Sequence, residues 1–155
     1  SASLVGSEMC IRDRSKRKES TFGADFIAGF PTESDEMFRD TLDLVDHCHL
    51  THLHVFPYSP RTNTPAARMP QIDKSIIKDR ANTLRQKGMK KLKQRLSKKV
   101  GKKDSILIEK VQNENSIGKD QNFFKVIVNE KIKEGDIVAC VYTGINNDML
   151  IAKRI

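Results

Sequence analysis

The sequence predicts a mixed α/β fold in three consecutive parts: a strand–helix–strand unit, a long basic helix and a small all-β barrel. Two short apolar runs, at residues 21–30 and 52–56, flank a segment with apolar residues at helical spacing. A stripe of apolar residues at helical spacing, flanked by basic residues, begins at Lys74. After Gly101 the periodicity changes to that of short strands separated by turns.

The first strand is expected over residues 21–30, a mostly apolar run of the kind found in strands that are covered on both faces. Gly29 and Pro31 end this strand. A helix follows, with Thr32 or Ser34 as its N-cap. Acidic side chains in its first turn are favoured by the helix dipole.

A second strand covers residues 52–56 and stops there because Pro57 and Pro60 can continue neither a ladder nor a helix. It leads into a loop from Tyr58 to Thr64 that is rich in hydroxyl groups and hydrogen-bond donors. In parallel α/β folds ligands bind at the carboxyl ends of strands, although an ordinary surface loop has the same composition. Strand, helix and strand therefore predict one βαβ unit with two parallel strands.

The positive charge is concentrated in one block. The whole chain has a net charge of +8, while residues 74–103 alone have a net charge of +12. A localised basic block is the electrostatic footprint of a protein that binds a polyanion. A solvated helix face is the alternative interpretation.

The last third of the chain predicts a small barrel of short strands. Phe123 is a candidate platform for stacking a nucleic-acid base, and core packing is the alternative. Phe123 and Phe124 are adjacent and must point to opposite faces. The predicted strands are residues 105–111, 124–128, 136–142 and 149–152.

Other features exclude several classes of protein. Cys10, Cys48 and Cys140 have neither metal-site spacing nor a disulfide framework, which favours a reducing cytoplasm. The histidines around Cys48 suggest packing and surface roles more than a metal site. No apolar run reaches the roughly 18 residues of a membrane span, so no membrane partner is expected. Residues 1–14 resemble translated adapter sequence and are expected to be a non-native leader.

Two motifs carry a family resemblance. FGADFIAGFPTESDEMF and HVFPYSPRTNTPAARMP resemble the second half of the radical S-adenosylmethionine domain of tRNA methylthiotransferases, in the branch that acts on threonylcarbamoyladenosine. SILIEKVQ, SIGKDQNFFKVIV and EGDIVACVYTGI resemble the TRAM domain of that family. The resemblance implies the carboxyl-terminal βαβ part of a partial (β/α) radical-SAM barrel over residues 15–73. A basic helix over 74–97 and an OB-like TRAM barrel over 98–155 would follow.

The resemblance implies S-adenosylmethionine as cofactor and tRNA as partner, with no DNA expected. Thr32 and Asn63 stand where the family has glycine, and Asn63 can adopt a left-handed turn conformation. The implied cofactor-binding residues are Ile27, Gly29, Pro31, Glu33, Val55, Phe56, Tyr58 and Ser59. The candidate RNA-binding residues are Arg61, Lys90, Lys91, Lys93, Arg95, Lys98, Lys99, Lys102, Lys103 and Phe123.

The resemblance further implies two four-iron four-sulfur clusters, one of them held by a C-x-x-x-C-x-x-C loop that this sequence lacks. The chain is therefore expected to be an inactive carboxyl-terminal fragment without catalytic residues or metal ligands. The full protein would methylthiolate threonylcarbamoyladenosine beside the anticodon. Isopentenyladenosine in tRNA or a ribosomal protein aspartate is an alternative substrate. A stand-alone RNA-binding module without catalysis is the alternative function.

Overall fold

The computed structural model of the protein describes residues 12–13, 15–17 and 19–155. Most of the expected leader at residues 1–14 lies outside the described residues. The chain divides into two compact units, of which the first ends at Lys91 and the second covers Leu92–Ile155. No helix of the described residues combines the length and the apolar composition needed to cross a membrane.

The first unit contains the predicted βαβ arrangement. Its two strands pair in parallel, in a register that runs from Gly23 opposite His52 to Ala28 opposite Pro57, which confirms the predicted parallel pair. A single turn of 3₁₀ helix, Ala66–Arg68, lies in the loop that follows. The remaining elements are strand β1 (Gly23–Ala28), helix α1 (Asp35–His47), strand β2 (His52–Pro57) and helix α2 (Lys74–Ser97).

The turns of the first unit follow from local chemistry. Ser34 is the N-cap of α1, and its hydroxyl oxygen accepts a hydrogen bond of 3.2 Å from the Met37 N–H. Asn63 has a φ of +67°, which confirms the left-handed conformation expected of it. Thr32 has a φ of +79°, and a β-branched residue seldom adopts that value. Thr32 and Asn63, the two positions where the resemblance implied glycine, therefore both have a left-handed backbone.

The core of the first unit lies between one face of the sheet and the two helices. Ala28 and Val55 from the strands pack with Val45 from α1, and Ala81 and Leu84 from α2 complete this cluster. Alternate strand residues point to the other face of the sheet. On that face Ile27 and Phe56 remain 58% and 53% exposed.

The second unit is a closed barrel of five strands in the order β3-β4-β5-β7-β6, compatible with a TRAM-like barrel. Its core includes Ile106, Phe124, Val126, Tyr142 and Leu150. The pairs are antiparallel except for β5 with β7, which are parallel. The strands are β3 (Lys103–Gln112), β4 (Asn115–Lys119), β5 (Lys125–Val128), β6 (Ile137–Asn146) and β7 (Met149–Arg154).

The prediction of four strands for this region was wrong by one, because none of the predicted strands covers β4. The segment Asn115–Lys119 has one large apolar residue, Ile117, and contains Gly118, so its alternation is weak. The structure shows why the glycine is needed. A Cβ at Gly118 would lie 2.1 Å from the Leu107 carbonyl oxygen, across a bulged part of the β3–β4 ladder.

Candidate functional site

A cavity of about 430 Å³ lies beside the carboxyl ends of β1 and β2. Its volume and its mixture of apolar walls with a few polar groups are typical of sites for small ligands. Parallel strands place their ligand sites at this end. The lining residues are Ile27, Phe56, Pro57, Tyr58, Ser59, Arg61, Thr64 and Ala66.

Tyr58 provides a polar group that the fold leaves unused. Its Oη atom is buried and has no hydrogen-bond partner among the described residues. The ring is held in place by an edge-on contact with Phe30, with ring centroids 5.4 Å apart. A buried hydroxyl without a partner costs free energy that a bound ligand would recover. Tyr58 Oη is therefore a candidate hydrogen-bonding group of the cavity.

The loop after β1 is fixed by a buried arginine. The guanidinium of Arg80 donates hydrogen bonds of 2.7 Å to Glu33 Oε2 and 2.6 Å to Asp35 Oδ1. Burial lowers the pKa of Arg80, but the hydrogen bonds that Arg80 donates to Asp35 and Glu33 outweigh this effect, and the pKa lies above its ordinary value. The same Glu33 oxygen accepts a 2.9 Å bond from the Gly29 N–H. The Glu33–Arg80 pair thus shapes the strand end instead of lining the cavity.

Gly29 has a different role from the one its position suggested. It has a φ of +77°, and a Cβ placed there would lie 2.5 Å from Ile77 Cγ1. The glycine therefore permits close packing of α2 against the strand end. Pro31 and Val55 are buried, and neither of them lines the cavity.

A second polar pair lies on the same face of the sheet as Ile27 and Phe56. Asp25 and His54 are opposite each other in the parallel register, and His54 Nδ1 lies 3.5 Å from Asp25 Oδ1. This pair borders a smaller cavity of about 360 Å³. Sequence reasoning could not pair Asp25 with His54, because 29 positions separate them.

The described residues do not fit an iron–sulfur cluster. Within residues 12–13, 15–17 and 19–155, no group of three or more His, Cys, Asp or Glu side chains is placed to hold a metal ion. Cys48 and Cys140 are buried thiols, and burial raises the pKa of Cys140. A cluster site needs thiolate ligands that converge on one point.

The predicted RNA-binding residues differ in exposure. Arg61 lines the cavity described above. In the first unit, Lys91 forms a 2.5 Å ion pair with Asp46, and Lys90 is exposed. In the second unit Arg95 is half-buried, and four lysines are exposed, which we call the basic surface. They are Lys93, Lys98, Lys102 and Lys103.

Lys99 is a correction to the sequence prediction. It is 5% exposed, and its ammonium donates to Asp120 and, at 2.9 Å, to Asp104 Oδ2. The same nitrogen lies 5.2 and 5.3 Å from the ring centroids of Phe124 and Tyr142. A lysine with two carboxylates around it inside the barrel is not available to RNA phosphates. A sequence cannot distinguish such a lysine from its exposed neighbours.

Phe123 and Phe124 point to opposite sides, as expected for adjacent residues. Phe124 is 1% exposed in the barrel core, whereas Phe123 is 74% exposed. Core packing therefore accounts for Phe124 alone. Phe123 presents its ring to solvent, as a stacking platform must.

Comparisons with curated proteins identify the family. No family model matches the chain. The threonylcarbamoyladenosine tRNA methylthiotransferase of Rickettsia prowazekii is 44% identical over 138 residues, which are 89% of this chain and 32% of that protein. The chain belongs to the tRNA methylthiotransferase family. It spans about a third of that relative's length.

Two further relatives come from the family, one from each of its two named branches. The threonylcarbamoyladenosine tRNA methylthiotransferase of Aquifex aeolicus is 36% identical over 59% of this chain and 23% of its own length. The tRNA-2-methylthio-N(6)-dimethylallyladenosine synthase of Neorickettsia sennetsu is 37% identical over 61% of this chain and 20% of its own length. In this methylthiotransferase chain, some of the cofactor-binding residues that the family implies line the cavity. The others shape the strand ends.

Sequence reasoning missed Arg80 in this family member. It lies 47 positions from Glu33 and is one of 13 basic residues in the block 74–103, so its partner could not be inferred. A signal existed nevertheless. Arg80 is adjacent to the apolar stripe position Ala81, and an arginine at the edge of a packed helix face needs an acidic partner.

Proposed function

We propose that the full protein is a radical S-adenosylmethionine enzyme that methylthiolates threonylcarbamoyladenosine in tRNA. This chain would be its carboxyl-terminal part. The observation that carries the proposal is the 44% identity, over 89% of the chain, to an enzyme named for that substrate. The relatives named for dimethylallyladenosine match 57% to 91% of the chain, but at a lower identity of 28% to 40%. Isopentenyladenosine and a ribosomal protein aspartate are the weaker alternatives.

The cavity beside β1 and β2 supports a place for S-adenosylmethionine. Ile27 and Phe56 offer apolar surface to its adenine ring, while Tyr58 and Ser59 offer hydroxyl groups to its polar atoms. Gly29 and Glu33 act on this site indirectly, by fixing the path of the strand end. When bound, the cofactor supplies the radical and the methyl group of the family's chemistry.

The two clusters of the family require ligands from outside this chain. The described residues offer no converging thiolates, and the Rickettsia relative is about three times as long as the aligned region. We assign the cluster ligands to the remaining part of the full protein, and this chain alone is then inactive. Parallel sheets are normally covered on both faces. The exposed Ile27 and Phe56 are therefore assigned to the interior of a larger (β/α) barrel.

The barrel of the second unit and the basic surface support tRNA as the partner. The surface lysines Lys93, Lys98, Lys102 and Lys103 belong to this unit, and all four are exposed. Exposed lysines neutralise phosphates without reading the base sequence. Such a role fits the positioning of a tRNA in the cytoplasm for chemistry elsewhere on the enzyme.

A stand-alone RNA-binding module remains the second candidate, and the basic surface favours it equally. The cavity with the unpartnered Tyr58 hydroxyl distinguishes the two. An RNA-binding module does not require such a cavity. The enzyme does, because it must hold a nucleoside-containing cofactor.

Nucleoside mass spectrometry tests the proposal. The full-length protein, reconstituted without oxygen and supplied with S-adenosylmethionine and a reductant, is incubated with two tRNAs. One tRNA carries threonylcarbamoyladenosine and the other isopentenyladenosine. We expect a methylthio group on the first nucleoside and none when the 155-residue chain replaces the full protein. Modification of isopentenyladenosine alone, or of neither nucleoside, would contradict the proposal.

A further inference from the structure

The connection between β4 and β5 presents an aromatic ring to solvent in a strained conformation. We call residues 119–125 the 119–125 hairpin. Phe123 has a φ of +62° and is 74% exposed. A bulky side chain in the left-handed region is strained, and an exposed ring gains nothing from the hydrophobic effect. Folding alone does not account for this residue, and strained residues cluster at functional sites.

The strained conformation is held by one buried carboxylate. The side chain of Asp120 is completely buried, and its Oδ1 accepts hydrogen bonds from the N–H groups of Asn122 at 2.8 Å and Phe124 at 3.0 Å. The carbonyl oxygen of Asp120 accepts a further 3.0 Å bond from the Phe123 N–H. Three successive backbone N–H groups around Phe123 are thus tied to a single residue.

The other carboxylate oxygen of Asp120 is fixed from inside the barrel. Tyr142 Oη donates to Asp120 Oδ2 at 2.8 Å, and the Lys99 ammonium donates to the same oxygen. Asp104 accepts from both donors, at 2.9 Å from Lys99 and 3.2 Å from Tyr142. The hairpin is therefore rigid before any ligand arrives, which lowers the entropic cost of binding.

Two lysines flank this loop in an unfavourable pair. Lys119 of β4 and Lys125 of β5 are directly opposite each other in the antiparallel register. Like charges in such positions destabilise a sheet. Glu109 lies 3.0 Å from the Lys119 ammonium and relieves part of the repulsion. A bound anion would relieve the remainder.

We propose that the 119–125 hairpin is a subsite for one unpaired RNA nucleotide. Phe123 stacks on the base, Lys119 and Lys125 neutralise its neighbouring phosphates, and Asp120 is the positioning residue that fixes the loop. A flat ring beside two cations suits a nucleotide, and an unpaired base exposes the face that stacking requires. This inference rests on the proposed binding of tRNA, and it adds a subsite separate from the basic surface.

A tryptophan reporter tests the stacking directly, because the chain contains no tryptophan. In the full chain with Phe123→Trp, a ten-nucleotide oligouridine should quench the tryptophan emission, whereas a duplex RNA of the same length should leave it nearly unchanged. Adding Asp120→Asn should diminish the quenching while circular dichroism still reports a folded barrel. A purely structural role of Asp120 would leave the quenching intact in the folded variant.

Variants without a reporter test the subsite independently of Asp120. Phe123→Ala should weaken oligouridine binding by about tenfold, which equals about 1.4 kcal/mol, with no change in salt dependence, since stacking on a base does not depend on salt. Lys119→Ala with Lys125→Ala should weaken binding and reduce the log–log salt slope by about 1.4, or 0.7 for each phosphate of a single strand. Lys131→Ala with Lys133→Ala, two exposed lysines outside the hairpin, is the matched control.

The outcomes distinguish a failure of the proposed subsite from a failure of the proposed function. If the chain binds tRNA but the hairpin variants bind oligouridine as well as the control does, the subsite is overturned and tRNA binding stands. If equal quenching by duplex and single strand is observed, the assignment to an unpaired nucleotide is overturned. A wild-type chain that binds no RNA would overturn the proposed tRNA partner together with the subsite.

Discussion

Tyr58 and Tyr142 place the same hydroxyl group in opposite environments. Tyr58 Oη is buried with no partner among the described residues, whereas Tyr142 Oη donates to Asp120 and Asp104. Burial, followed by the neighbouring Asp120 and Asp104 carboxylates, raises the pKa of Tyr142 well above its ordinary value. The raised pKa favours the neutral form of Tyr142, which can donate a hydrogen bond.

We expect Tyr58→Phe to leave the stability of the chain unchanged or to raise it by up to about 1 kcal/mol, because it removes a buried hydroxyl without a partner. Tyr142→Phe is the matched control and should lower stability by about 1–3 kcal/mol, because it removes the hydroxyl donor that Asp120 and Asp104 share inside the barrel. Urea unfolding of both variants measures the difference. In the full-length enzyme, Tyr58→Phe should raise the KM for S-adenosylmethionine. An unchanged KM would remove Tyr58 from the cofactor site.

Thr32 and Lys99 show why single residues escape sequence reasoning. The left-handed backbone of Asn63 could be predicted, because asparagine tolerates that conformation. Thr32 adopts the same region although a β-branched side chain disfavours it, and only the fixed Glu33–Arg80 contacts explain how the loop persists. The local sequence around Lys99 has the same composition as the local sequence around the exposed lysines. Its burial depends on Asp104 and Asp120 converging in space, which no local pattern encodes.

At the scale of elements, α1 and α2 are joined by a charged contact within the first unit. Asp46 of α1 lies 2.5 Å from the ammonium groups of Lys87 and Lys91 on α2. Hydrogen bonds from these two lysines lower the pKa of Asp46 to about 2 from 3.8. The Asp46 side chain is half exposed, so the contact contributes less than about 1 kcal/mol and weakens with salt.

This contact predicts a pH dependence. A carboxyl group whose pKa is lower in the folded state stabilises the fold above its unfolded pKa, and that contribution is lost as pH falls through the folded pKa. The first unit should therefore lose this part of its stability between about pH 4 and pH 2. Hydrogen exchange of β1 and β2 across this range measures it. Asp46→Asn should flatten that part of the profile, and Asp43→Asn, an exposed control on the same helix, should not.

The elements with strong periodicity could be predicted from the sequence, and β4 could not. The parallel β1–β2 pair follows from two apolar runs that flank an amphipathic helix, and α2 follows from its apolar stripe. In β4 the signal is hidden because Gly118 replaces a core side chain so that the β3 backbone can approach closely. For the candidate site, the family resemblance implied eight cofactor-binding residues, and four of them, Ile27, Phe56, Tyr58 and Ser59, line the cavity. It did not predict which of them touch the helix instead, since Gly29 and Glu33 are fixed by Ile77 and Arg80.

At the scale of the whole molecule, charge is the property that sequence predicts best. The net charge of +12 in residues 74–103 can be read directly, and four lysines of this block form the exposed basic surface of the second unit. The salt dependence of binding depends on which partner these lysines contact. If phosphates are neutralised, counterions are released, and the affinity must fall steeply with salt concentration.

The affinity of the 155-residue chain for tRNA, measured at several salt concentrations, tests the central claim most directly. For about five phosphates contacted, we expect a log–log slope of about −4.5, or −0.9 per phosphate. Replacing Lys93, Lys98, Lys102 and Lys103 by alanine should weaken binding to all tRNAs alike and flatten the slope by about 3.6, or 0.9 per phosphate. Lys131→Ala with Lys133→Ala should leave the slope unchanged. Wild-type slope in the quadruple variant, or no binding of tRNA by the wild-type chain, would contradict the assignment of the basic surface to tRNA.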